Sequence, residues 1–102
     1  MTQFELFALS LVKAIPRGRV ATYKILAREA GKPRAFRAVA NALHKNKKNI
    51  IIPCHRVIKS NGDLGGYNRG KKFKRQLLES EGIEIKDEEV VDFEKYLYKP
   101  KI

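Results

Sequence analysis

Cys54, His55 and Arg56 stand consecutively in a chain of 102 residues that holds no other cysteine. A thiol attacks as thiolate, and its ordinary pKa of about 8.5 means that a base or a cation must assist it at neutral pH. His55 and Arg56 are residues of those two kinds. Neighbours on an extended strand face opposite ways, so His55 reaches the Cys54 sulfur only if the chain turns there, a helix starts, or a water intervenes. On spacing alone the plainer reading stays open: a buried, inert cysteine beside a surface His-Arg pair. A lone cysteine forms no internal disulfide, and a reducing interior keeps it a free thiol. His44 and His55 are the only histidines. The chain therefore lacks a zinc ligand set, and no metal or other cofactor is expected.

What must such a thiol meet? Residues 1–78 carry 18 Lys/Arg against Glu5, Glu29 and Asp63, whereas residues 79–102 carry 4 against 8 Asp/Glu, so the net +11 is concentrated ahead of the tail. Lys and Arg that neutralise phosphates release counterions, so this distribution points to nucleic acid with salt-sensitive affinity, although membrane-surface and ribosomal proteins share the charge pattern. No apolar run approaches the roughly 20 residues of a bilayer span, and the start Met1-Thr2-Gln3-Phe4-Glu5 lacks the pattern of a secretory signal. Length and composition predict one globular domain over 1–102, and the expectation is a monomer in the cytoplasm, nucleoid-associated when on DNA.

The elements that would position Cys54 follow from periodicity. Phe4, Phe7, Ala8 and Leu11 are spaced as the core face of a first helix, ended at Ile15-Pro16. Thr22 suits an N-cap for a second, short helix with Ile25, Leu26 and Ala30 buried and Gly31 as its stop. Pro33 suits the first turn of a third helix through Arg37, Val39, Ala42 and Leu43. Helix, short turn, helix is the plan of a helix-turn-helix. Ile50-Ile51-Ile52, closed by Pro53, reads as a buried strand leading into Cys54. Gly65-Gly66-Tyr67-Asn68-Arg69-Gly70 reads as a flexible loop, and Phe73, Leu77 and Leu78 line a fourth helix stopped by Gly82. The tail reads as a strand or loop pair around Val90-Val91 and a closing turn. The fold class expected is mainly α with a short β element, winged-helix-like.

The string Ile52-Pro53-Cys54-His55-Arg56-Val57-Ile58 resembles the active-site signature of the O6-alkylguanine-DNA alkyltransferases. The resemblance runs back through Ile15-Pro16-Arg17-Gly18, Thr22-Tyr23, Arg37-Ala38-Val39 and Asn46. It runs forward through Gly62, Gly65-Gly66-Tyr67, Gly70, Lys74 and Leu77-Leu78-Glu79-Ser80-Glu81-Gly82. It covers nearly the whole chain and matches that family's C-terminal DNA-binding and catalytic domain, without the further N-terminal domain the family usually carries. The resemblance implies that Cys54 takes an alkyl group from guanine O6 in double-stranded DNA, once and irreversibly. It makes His55 the base, Glu81 the holder of the imidazole, Asn46 a hinge that braces the cysteine turn, and Tyr23 a proton donor to the departing guanine. Base flipping is implied with it, with Arg37 filling the stack and a recognition helix in the minor groove. The DNA-facing set is then Arg37, Tyr23, Thr22, Ala35, Ala38, Asn41 and Arg56, and the base pocket Val57, Gly65, Gly66, Tyr67 and Asn68.

Two local departures stand out: Ala40-Asn41 where glycine is common on the recognition helix, and Lys47 where proline usually follows the hinge asparagine. Two other functions compete. An alkyltransferase-like damage sensor shares the fold but has another residue in place of the cysteine, which Cys54 opposes. A sequence-specific helix-turn-helix regulator would read bases with Arg37 and Asn41, but leaves the Cys-His-Arg string and Glu81 without a task.

Overall fold

The computed structural model describes residues 2–47 and 51–98. Helix α1 (Gln3–Lys13) starts at a Thr2-Glu5 capping box, in which each side chain bonds the other residue's backbone N–H. Its buried face is Glu5, Ala8, Leu9 and Val12, with Phe4 and Leu11 partly covered. Phe7, expected in the core, is half exposed, because one residue along a helix turns the side chain about 100° from Ala8.

The chain then forms strand β1 (Ala21–Thr22), which passes directly into α2 (Tyr23–Glu29). Thr22 belongs to both: its backbone pairs in the sheet and its hydroxyl caps α2 by accepting from the Ile25 N–H at 3.1 Å. Gly31 ends α2 as expected, with the Gly31 N–H on the Arg28 carbonyl and the Lys32 N–H on that of Ala27. Helix α3 (Phe36–Lys45) begins later than the sequence suggests. Pro33 sits not in its first turn but at the second position of a tight turn closed by the Ala35 N–H on the Lys32 carbonyl at 2.8 Å, where its fixed φ is equally at home. The helix-turn-helix is present, and α1 packs across both of its helices.

Of the strand expected at Ile50–Ile52, the two described residues do not form a strand. Ile50 lies outside the described residues, Ile51 is in a turn with 65% of its surface exposed, and Ile52 makes an isolated bridge. The strand next to the cysteine is instead β2 (Val57–Ile58), after a single 3-10 turn at Cys54–Arg56. It pairs in parallel with β1, Ala21 opposite Val57 and Thr22 opposite Ile58. Side chains alternate across this pair: Ala21 and Val57 join the core between α1, α2 and α3, while Val20 and Ile58 join a second core with Leu64, Leu78, Ile83, Ile85 and Val90.

Helix α4 (Lys71–Ser80) closes the second core. Its end is a Schellman motif, with the Ile83 N–H on the Leu78 carbonyl and the Gly82 N–H on that of Glu79. Gly82 takes φ +88°, a conformation other residues adopt at a cost, so the stop sets Glu81 at a defined place and angle. The tail forms the hairpin β3 (Ile85–Lys86) and β4 (Glu89–Val90), turned at Asp87 and Glu88 with both φ positive, then a short α5 (Phe93–Tyr96). Leu97 bridges Val20, which ties the tail to the sheet. The fold is mainly helical with two small sheets. No helix among the described residues is long and apolar enough to cross a membrane.

Candidate active site

The 3-10 turn supplies what the bare spacing of Cys54 and His55 left open. Three residues per turn rotate successive side chains by about 120° rather than 180°, so Cys54 and His55 can both point inward, and both are buried. The turn is held by the Arg56 N–H on the Pro53 carbonyl at 2.9 Å and the Cys54 N–H on the Ile52 carbonyl at 2.8 Å. Asn46, the buried C-cap of α3, braces it from the other side. Its Nδ2 donates to the Ile52 carbonyl at 3.1 Å and to Cys54 Sγ at 3.5 Å, while its own carbonyl accepts from Asn68 Nδ2 at 2.9 Å. One asparagine thus joins the end of the recognition helix, the cysteine turn and the Gly65–Gly70 loop.

Behind the cysteine, His55 Nε2 lies 2.8 Å from Glu81 Oε2. Arg56 grips the same carboxylate with Nε at 2.9 Å and a terminal nitrogen at 2.8 Å, and spends its other terminal nitrogen on the Ile15 carbonyl at 2.8 Å. Burial alone would raise the Glu81 carboxyl, but the Arg56 and His55 hydrogen bonds outweigh it and hold the group below its ordinary value. An ionised carboxylate only accepts, so Nε2 carries the ring hydrogen and Nδ1 is left as an acceptor. Nδ1 is buried with no hydrogen-bond partner among the described residues. Burial pushes the His55 pKa down despite Glu81, so the ring is neutral at pH 7 and able to take a proton. Burial likewise pushes the Cys54 thiol up, against the opposing pull of Asn46, of the Lys74 charge and of the turn's backbone. The resting sulfur is therefore a thiol, and its deprotonation has to accompany its use.

Cys54 opens into a cleft of about 440 Å³, in the size range of small-ligand sites, walled by Tyr23, Ala40, Asn41, Leu43, His44, Gly66, Tyr67 and Asn68. A second hollow adjoins it, sharing Tyr23, Ala40 and Gly66 and bordered by Lys24, Arg37 and Lys59. The β1–β2 pairing explains why Tyr23 reaches the cysteine: one strand starts the helix that carries the tyrosine and the other leaves the cysteine turn. Burial, with the Cys54 charge second, raises the Tyr23 hydroxyl pKa, so it stays protonated and can donate.

Cys54, Tyr23, Gly66, Tyr67 and Asn68 line this cleft, while Asn46 is bonded to Cys54 and the bonded pair His55 and Glu81 joins the cysteine turn to the end of α4. Arg37 and Asn41 are exposed on α3, Ala38 is half-buried beside them, and Ala35 is the half-buried N-cap. Four residues stand elsewhere than expected. Arg56 is not free for DNA, since its guanidinium is committed to Glu81 and Ile15. Thr22 is buried as cap and strand residue. Val57 packs in the core with its carbonyl bound to Lys74, and Gly65 lies under the Tyr23 hydroxyl rather than in the wall. Sequence reading gave no task to Ala40, Leu43 and His44, which line the cleft, or to Lys74, which is wholly buried. The signal for Lys74 was present: it stands four residues before Leu78, in the buried stripe of α4.

The family model of the 6-O-methylguanine DNA methyltransferase, DNA binding domain, matches residues 3–83. The chain belongs to that family. It is 45% identical over 85 residues to a methylated-DNA--protein-cysteine methyltransferase of Methanothermobacter thermautotrophicus, covering 82% of this chain and 47% of the relative. It is 52% identical over 82 residues to the protein of the same name from Saccharolobus solfataricus, covering 80% and 52%. The chain thus spans about half the length of the curated relatives it matches. Among solved structures, Atl1 of S. pombe in complex with damaged DNA containing O6-carboxymethylguanine superposes with TM-score 0.88 at 32% identity, covering 98% of both chains. OGT of Mycobacterium tuberculosis in complex with DNA gives 0.77 at 42% identity, covering 79% of this chain and 50% of that one.

Proposed function

We propose that this chain repairs alkylated DNA by moving an alkyl group from O6 of guanine in a duplex to Cys54 Sγ, within the single unit 1–102. One observation carries the reading: the sulfur forms part of a cleft wall with a neutral, carboxylate-held histidine next to it in the chain. In the reaction the Cys54 thiol gives its proton to His55 Nδ1, directly or through a water. The sulfur attacks the alkyl carbon, the carbon–O6 bond breaks, and its electron pair stays on the guanine. Tyr23 donates the proton that neutralises the leaving base and recovers one through solvent. A thioether is not hydrolysed by neutral water, so each molecule acts once and no cofactor takes part.

A cysteine at the back of a cleft does not reach a stacked base, so the nucleotide must leave the duplex, at a cost of a few kcal/mol. Arg37 supports this, exposed on α3 at the hollow that adjoins the cleft. The surroundings suit a polyanion, since no carboxylate occurs between Glu29 and Asp63, the stretch holding α3 and the cysteine turn. The small Ala38 and Ala40 allow α3 to approach a narrow groove, and the same reading has the protein work as a monomer in the cytoplasm, where its thiol stays reduced.

The whole-length likeness to Atl1 supports a rival, lesion binding without transfer. Intact-mass spectrometry separates the two. Mixed with a duplex carrying one O6-methylguanine, the protein is expected to gain one methyl group, and Cys54→Ser none. Lesion-selective binding by the unsubstituted protein with no mass gain would establish the rival.

A further inference from the structure

Four large apolar side chains stand exposed among the described residues: Leu6 and Phe7 on α1, Ile51 in the turn ahead of the cysteine, and Phe36, 40% exposed in the first turn of α3. Such residues, scattered singly over a surface, need no explanation. Phe36 differs from the other three in its place. It belongs to neither core and borders, with Tyr23 and Arg37, the hollow of about 430 Å³ that adjoins the Cys54 cleft. Ala40, four residues on and so on the same face of the helix, lines the hollow and the cleft alike, and one stripe of α3 thus leads from the ring to the cleft.

The residues around the hollow include Lys24, Arg37 and Lys59, and no carboxylate is among them. Two aromatic rings and three cations in one wall match a nucleotide, whose base and sugar offer apolar faces and whose phosphates are anionic. Phe36 itself has no polar atom to satisfy and gains by leaving water, as do the apolar wedges with which minor-groove proteins open a base step. We propose that Phe36 is a positioning residue for base extrusion: its ring is a second wedge beside Arg37, pressed into the base step next to the alkylated nucleotide while Lys24 and Lys59 meet the flanking phosphates. The inference rests on the proposed extrusion of that nucleotide into the Cys54 cleft. Opening the neighbouring step removes part of the stacking that holds the nucleotide in the duplex, so Phe36 contributes to the transfer rate where a stack has to be opened.

The test separates duplex from single strand. Single-turnover methyl transfer is measured for the unsubstituted protein, Phe36→Ala and Phe36→Leu, from O6-methylguanine in a duplex and in the corresponding single strand, together with the rate of Cys54 alkylation by iodoacetamide. Opening of the step is read in the Cys54→Ser background, where the lesion persists, by the fluorescence of 2-aminopurine placed beside O6-methylguanine, on one side or the other in two duplexes. Phe36→Ala is expected to slow transfer from the duplex about tenfold, the lower part of the range for losing one aromatic–base contact, and to slow single-strand transfer by less than about twofold. It is also expected to remove most of the 2-aminopurine brightening on one side of the lesion and to leave the iodoacetamide rate as it was. Phe36→Leu, still an apolar wedge, should recover most of both losses. The ring is exposed and Ala is the better helix former, so α3 keeps its start in these variants. Equal slowing on duplex and single strand, or unchanged brightening on both sides, overturns the proposal. An unsubstituted protein that transfers no methyl group, while Phe36→Ala still dims 2-aminopurine in the lesion duplex, would remove the proposed repair activity and leave the wedge standing.

Discussion

Glu81 accepts from His55, twice from Arg56 and, at 3.4 Å, from the Gly18 N–H, which engages a carboxylate's capacity almost fully. Replacing it by Gln sets an NH2 against donors already there and removes the charge that steadies His55. We expect Glu81→Gln to slow methyl transfer on the order of 10²-fold, measured in single turnover with the protein in excess of lesion DNA. Glu81→Ala, which leaves Arg56 without its partner, is expected to cost about 3 kcal/mol in urea unfolding, the low end for a broken buried pair because Arg56 keeps some solvent contact. His55 and Glu81 each add to the pH dependence through a depressed value. Each binds its proton less tightly folded than unfolded, so the stabilisation is present above the unfolded pKa and is lost as pH falls, first for His55 below about 6.5 and then for Glu81 below about 4.5. Thermal midpoints measured from pH 7 down to 4 should fall through both windows, and a flat profile would contradict the neutral His55. At this scale the string around Cys54 was legible, but the partnership of His55 with Glu81, which stands far along the chain, rested on resemblance alone. Lys74, one of the residues that carry the resemblance, was given no task because a lysine in an apolar stripe reads as an exposed exception until the two carbonyls it binds are seen.

Among the elements, the helices were legible because their apolar spacing and stop signals are local: Gly31 and Gly82 end α2 and α4 as read. The β1–β2 pair was not, since strands of two residues carry no alternation, and their partners lie far apart in sequence. At Ile51 and Ile52 the expectation misled for a related reason, that β-branched residues favour an extended backbone but need a continuous partner strand to become part of a sheet. The hairpin turn at Asp87-Glu88 was hidden because neither residue is the Gly or Asn that usually marks two positive φ values. Gly65 shows what the pair controls. It has φ +72°, and a Cβ there would stand 3.3 Å from the Tyr23 hydroxyl. Gly65→Ala is expected to lose about 1 kcal/mol of stability from backbone strain and, by pressing on Tyr23, to slow transfer more than it weakens duplex binding. Equal losses in rate and affinity would remove Tyr23 from the reaction.

For the whole molecule, the concentration of cations ahead of residue 79 and the absence of carboxylates from Lys32 to Gly62 were readable directly, and three of those cations, Lys24, Arg37 and Lys59, border the hollow beside the cleft. Cys54 also belongs to the main hydrophobic core, so its chemistry and the stability of the protein are linked. A methyl group on Sγ must fit where Asn46 now approaches at 3.5 Å. The methylated protein is expected to be less stable than the free one by about 1–3 kcal/mol, the usual cost of an added methylene in a packed site, read as a lower urea midpoint after reaction with lesion DNA.

The most direct test of the central claim is a titration of a fixed amount of protein with increasing O6-methylguanine duplex, counting restored guanines and mapping the methyl group by peptide mass. A plateau is expected at one restored guanine per protein molecule, with the methyl group on the peptide that contains Cys54. Repair that continues past one per molecule, a methyl group found elsewhere, or lesion binding with no guanine restored would contradict it.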